Sequence, residues 1–189
     1  MNINTYEKWF AEYTTNIRNH IFITLDAGEE YTPWGWPVSG IPAVLDEFDI
    51  KIEHSQIVRN LSANIAKNLK LPDKDVNLAE IIGLCHDLGR FRQAINFGTM
   101  DDRITGSHGE MSADIFLHDT PNEAAVQPKA DNFDVNENIS LSVNKNVVAD
   151  ALRYHNHFCL PNSLNERSLF FLKLIRDADK LDIFRFIIV

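Results

Sequence analysis

The sequence predicts an all-α protein folded as a single helical bundle. Three observations lead there. Apolar residues recur at helical spacing in most segments long enough to judge. Strand signals are weak throughout. The helix breakers gather between the periodic segments instead of inside them. A chain of 189 residues fits one domain, with at most a small appended element, and is long enough to bury a proper core.

The elements follow in order. Residues 4–25 place Tyr6, Phe10, Tyr13, Ile17 and Ile21 at helical spacing. A breaker-rich loop comes next, with Gly28, Pro33, Gly35, Pro37, Gly40 and Pro42. Its Trp34 and Trp36 are expected to pin the loop to the body, with a substrate lid as the sharper alternative. Residues 52–70 predict a helix with His54, Val58, Leu61, Ile65 and Leu69 on one face. Leu71-Pro72-Asp73 ends it, and Asp73 is expected to cap the next helix. That helix, about 74–88, is apolar nearly all round, which marks it as central and buried, with Gly89 placed to terminate it. A short helix over 90–97 follows. Ser107 is expected to cap a helix from His108 to about His118. Residues 119–138 hold Pro121, Pro128 and many Asn and Asp, and read as an irregular connection. Helical patterns resume at 139–157 and 164–186.

Composition narrows the function classes. Lys and Arg total 18 against 27 Asp and Glu, a net charge of −9. Such an acidic chain is poorly suited to a nucleic-acid polymer, whose binding rests on cationic side chains neutralising phosphates. No apolar run approaches the ~20 residues that a membrane span needs. Met1 to Phe10 carries no signal-peptide pattern, so the expected location is the cytoplasm. Cys85 and Cys159 sit in apolar surroundings and read as buried thiols. The sequence ends on Phe186-Ile187-Ile188-Val189, which either docks onto the body or belongs to a longer chain. Homo-oligomerisation stays open.

The chemistry-bearing residues are histidines and aspartates at helix ends and on apolar faces. His86-Asp87 closes the buried helix beside Leu84 and Leu88. An imidazole and a carboxylate buried together make sense if a cation gathers both. A His-Asp hydrogen bond capping the helix end explains the dipeptide equally well. His54 and His108 open helices, His155 and His157 close one, and Asp177 and Asp179 lie within an apolar helix. Each alone reads as a satisfied core residue. Together they bring ligands inward from several helices, which is how metal sites in bundles are built. His20 and His118 lie outside this set.

In order and local context, His54 (in Glu53-His54-Ser55), His86-Asp87-Leu88-Gly89-Arg90 and Arg176-Asp177-Ala178-Asp179-Lys180-Leu181-Asp182 resemble the H…HD…D signature of the HD superfamily of metal-dependent phosphohydrolases. The resemblance covers roughly residues 50–185. It implies an HD domain over 50–189, with an N-terminal helix and irregular loop over 1–49 packed on it. It also implies His54, His86, Asp87 and Asp179 as metal ligands. Periodicity does not separate Asp179 from Asp177; the match to the last motif favours Asp179. His108 and His155 resemble the two further histidines of binuclear members, with His157 and Asp177 as fallbacks. Asp87 would then bridge two ions.

An imidazole and carboxylate set suits Mn, Fe, Co, Ni or Zn, two per chain in the binuclear reading. The implied activity is hydrolysis of a phosphate mono- or diester, a nucleotide or small phosphorylated metabolite, with Asp87 and Arg90 in the catalytic machinery. Arg90 and Lys180 are the expected substrate-phosphate contacts. Two alternatives stay open: a mixed-valent di-iron oxygenase of the same superfamily, and a non-catalytic nucleotide-sensing domain. The Gly-Tyr-Pro signature of the cyclic-dinucleotide branch is absent, and the motifs of the stringent-response branch are not evident.

Overall fold

A computed structural model describes residues 1–26, 41–121 and 135–187. Among them are the helices α1 (Ile3–Asp26), α2 (Ile41–Asn68), α3 (Asp73–Cys85), α4 (Leu88–Phe97), α5 (Asp102–Thr105), α6 (His108–Asp119), α7 (Val135–Tyr154) and α8 (Glu166–Ile187), and no strand. The protein is all-α, as its sequence predicts. The Trp34 and Trp36 loop, most of the 119–138 connection and the last residues of the apolar tail lie outside the described residues.

The bundle is organised around α3. Val76, Leu78, Ala79, Ile81, Ile82, Leu84 and Cys85 are all buried there, because α1, α2, α7 and α8 pack around the helix. α2 lies along α3 and α8, and α6 bridges α4 and α7. α1 closes one side through aromatic contacts. Tyr6 stacks on Phe116 at 5.7 Å between ring centroids, and Phe10 and Phe48 meet the edges of Phe91 at 5.8 and 4.8 Å. Such pairs contribute about 0.5–1.5 kcal/mol each beyond the area they bury.

Several boundaries differ from the sequence expectation, each for a local reason. α2 begins at Ile41, well before residue 52, and runs through the expected division at residue 49. Pro42 falls in its first turn, where a missing N–H breaks no helical bond, so the proline starts the helix instead of ending the loop. Leu69 follows the last residue of α2 and is exposed. The N-cap of α3 is Pro72, and Asp73 is its first helical residue and makes no capping bond. α7 ends at Tyr154, so His155 and His157 stand in the segment beyond it. Cys159 is exposed, while Cys85 is buried and its thiol is pushed up by desolvation.

Gly89 is the most informative difference. It does not terminate α3. That helix stops at Cys85, the chain turns at His86-Asp87, and Gly89 lies buried inside α4. A Cβ there would overlap the carbonyl oxygen of His108. The glycine therefore lets the start of α6 approach the His-Asp turn. Gly109 does the same on the other side, where a Cβ would stand 2.7 Å from the Arg153 carbonyl oxygen on α7. Gly89→Ala is expected to lower stability by about 1–3 kcal/mol, because the obstacle is backbone and cannot rotate away. Urea unfolding of the variant against wild type measures this.

Candidate metal centre

Six helices meet at the His86-Asp87 turn. α2 brings His54, the α3–α4 turn brings His86 and Asp87, α6 opens with His108, His155 follows α7, and α8 brings Asp179. The four imidazoles and Asp87 are buried, and the Asp179 side chain is 21% exposed. Asp87 stands at the N-cap position of α4, yet its carboxylate makes no capping bond. Its nearest approach to His86 Nε2 is 3.6 Å, too long for a hydrogen bond. The capping explanation of the dipeptide is therefore not the one realised.

The Asp87 carboxylate divides the centre into halves. Oδ2 lies 3.6 Å from both His54 Nε2 and His86 Nε2, and those two nitrogens are 3.1 Å apart. Asp179 Oδ1 joins this half, 3.1 Å from His54 Nε2 and 3.7 Å from His86 Nε2. Oδ1 faces the other pair, 3.3 Å from His108 Nε2 and 3.7 Å from His155 Nε2, and those nitrogens are 3.0 Å apart. Within each of the sets His54, His86, Asp87 and Asp87, His108, His155, the ligand atoms lie close enough together to hold a metal ion.

The opposite ring nitrogens explain why all four Nε2 atoms point inward. His86 Nδ1 donates to the Gly83 carbonyl at 2.8 Å, and His155 Nδ1 donates to the Leu152 carbonyl at 2.7 Å. A carbonyl can only accept, so the proton is on Nδ1 and a neutral ring leaves its Nε2 lone pair bare. His54 Nδ1 meets Asp182 Oδ2 at 2.6 Å, and His108 Nδ1 meets Asp102 Oδ2 at 2.7 Å. Both carboxylates favour the same tautomer. Lone pairs facing one another at about 3 Å, beside carboxylates, call for a cation between them, a shared proton or a metal ion. The donor set thus fits divalent cations, with carboxylates and carbonyls fixing the imidazoles as metal-binding histidines require.

The electrostatics agree for His86 and His108 and run the other way at His54. Burial lowers His86 to about 4 and also lowers His108, so these rings stay neutral. Burial would lower His54 too, but the Asp179 and Asp87 carboxylates outweigh it and raise that ring. Burial works to raise Asp87, and the Lys51 ammonium and neighbouring imidazoles overcome it, holding the carboxyl well below its usual range. Asp179 is likewise lowered against its burial, first by its bond to His54.

The remaining sequence candidates lie elsewhere. Asp177 and Lys180 are exposed on α8. The His157 carbonyl accepts a bond from Arg176, and its ring meets the Tyr154 ring edge-on at 5.2 Å. Arg90 is close, with Nε 4.0 Å from Asp87 Oδ1, but its Nη1 is tied to Asp102 and Gln93 at 3.0 Å each and to the Met100 carbonyl. Three residues of the centre have no role in the sequence reading: Lys51, Asp102 and Asp182. Two carried a usable signal, since Lys51 is one turn before His54 and Asp182 one turn after Asp179. Asp102 reaches His108 through the single turn of α5, and no periodicity announces it.

Residues 52–183 match the family model of the HD domain. The chain belongs to the HD domain family. No curated protein and no solved structure matches it. The HD match takes in every histidine and aspartate of the centre and stops just short of Lys51. Within this HD domain, Asp182 would act on a bound metal only through His54. Asp182→Ala should weaken divalent-metal binding about 10–100-fold, whereas Asp177→Ala should leave it unchanged. Calorimetric titration of the two variants tests the contrast.

Proposed function

We propose that this HD-domain protein is a metal-dependent phosphohydrolase with a binuclear centre, cleaving a phosphate mono- or diester of a nucleotide or another small phosphorylated metabolite. The observation that carries the reading is the Asp87 carboxylate, whose two oxygens face two separate histidine pairs. His54, His86, Asp87 and Asp179 would hold one ion, and His108, His155 and Asp87 the other. Imidazole and carboxylate ligands suit Mn, Fe, Co, Ni or Zn. Two such ions, when bound, supply a water nucleophile at neutral pH and positive charge for the phosphoryl oxygens.

The chain's own residues do the rest. Asp87 holds the two halves in register. Asp182 and Asp102 keep His54 and His108 turned so that Nε2 faces the centre. Arg90 acts chiefly as a positioning residue, since its Nη1 braces Asp102 and the Met100 carbonyl. Its Nε is buried without a hydrogen-bond partner and is the atom of Arg90 that could donate toward a substrate oxygen near Asp87. Lys180, exposed on α8, would contribute only to the outer approach of an anionic substrate.

Metal-stripped protein, reloaded with Mn, Co, Ni, Fe or Zn and screened against nucleotides and phosphoesters, tests the reading. At least one metal should restore hydrolysis of a phosphoester, and Asp87→Ala should fall to the background rate while keeping its helical circular dichroism. Full activity in Asp87→Ala would overturn the scheme. Oxygen uptake by the iron-loaded protein, with no phosphoester cleaved, would replace hydrolysis by the oxygenase alternative. Nucleotide binding without turnover under every metal would favour a sensing domain.

A further inference from the structure

The centre contains a cation of the chain's own. Lys51 lies on α2 one turn before His54, and its Nζ stands 2.7 Å from Asp87 Oδ2. The lysine side chain is 28% exposed and the Asp87 side chain 3%, so the ammonium reaches the carboxylate from the solvent side. The contact falls on one half only. Oδ2 is the oxygen that faces His54 and His86, in the half that Asp179 also joins. Oδ1 faces His108 and His155, with Arg90 Nε 4.0 Å away, and the Lys51 hydrogen bond is made to Oδ2.

An ion bound between His54, His86 and Asp179 would use the same oxygen that Lys51 holds. An ammonium and a divalent cation on one buried carboxylate oxygen repel strongly, because little water lies between them. We propose that Lys51 is a built-in substitute cation for the first half of the centre, so that the two halves fill in a fixed order. The His108 and His155 half takes the first ion. The His54, His86 and Asp179 half takes the second, and only when Lys51 withdraws toward solvent. Without the lysine the order reverses, since the first half offers two carboxylates and the second only Asp87. This inference rests on the binuclear reading above and adds to it a mechanism that sets unequal affinities.

Titration of metal-stripped, full-length protein with Mn(II) tests it by calorimetry. Wild type should bind in two resolved steps, and His155→Ala should remove the tighter one. Lys51→Met should strengthen the weaker step on the order of tenfold or more, while Lys51→Arg, which keeps the charge, should behave as wild type. Lys51→Gln keeps a donor for Oδ2 without the charge and gives the same reading if the methionine variant does not fold. Affinities within twofold of wild type in both neutral variants, or a further weakening of the weaker step, would overturn the proposal. Failure of wild type to bind Mn(II) at all would instead remove the metal centre, and this inference with it.

Discussion

The structure turns on a carboxylate buried where a carboxylate is hardest to keep. Asp87 sits at the end of an apolar helix, out of water, with four imidazole rings around it. An uncompensated charge in such a place is strongly destabilising, and removing one partner of a buried ion pair typically costs about 3–5 kcal/mol. Positive charge must therefore reach both of its oxygens. Lys51 reaches one, and the bare Nε2 atoms around both offer sites through which divalent ions would supply the rest.

Other features of the fold serve this constraint. α3 is apolar and buried over its second half, Ile81 to Cys85, where it carries the His-Asp turn to the middle of the bundle. Gly89 and Gly109 remove side chains where α4, α6 and α7 come too close to admit them, and His108 and His155 reach the turn as a result. Asp102 and Asp182 add negative charge, but at the far nitrogens of His108 and His54, where it strengthens the rings as ligands. Arg90 and Arg185 in turn satisfy those carboxylates. The arrangement is layered: Arg90 and Arg185 hold Asp102 and Asp182, these carboxylates hold His108 and His54, backbone carbonyls hold His86 and His155, and the four histidines surround Asp87.

Much of this was legible in the sequence because burial and periodicity leave marks there. A largely apolar helix ending in His-Asp, and a histidine opening α6, are local patterns; His54 is expected to open a helix as well but stands midway along α2, which starts at Ile41. The structure brings His54, His86, Asp87, His108, His155 and Asp179 together and leaves His157 and Asp177 outside. What escaped depends on contacts between segments. Gly89 looks like a terminator beside α3, and only the approach of the His108 backbone reveals why a glycine is there. Pro42 looks like a breaker until the helix proves to start there. Cys159 shares an apolar neighbourhood in sequence but lies on the surface, beyond the end of α7. Lys51 is an ordinary surface lysine by composition, and its role depends on an aspartate 36 positions away.

The central claim is that one carboxylate joins two metal ions. Electron paramagnetic resonance of the protein loaded with two equivalents of Mn(II) tests it directly. Ions bridged by Asp87 should give a broad, exchange-coupled signal, and Asp87→Ala should abolish that coupling. A wild-type spectrum showing only the hyperfine pattern of isolated, uncoupled Mn(II), with both equivalents bound, would contradict the account.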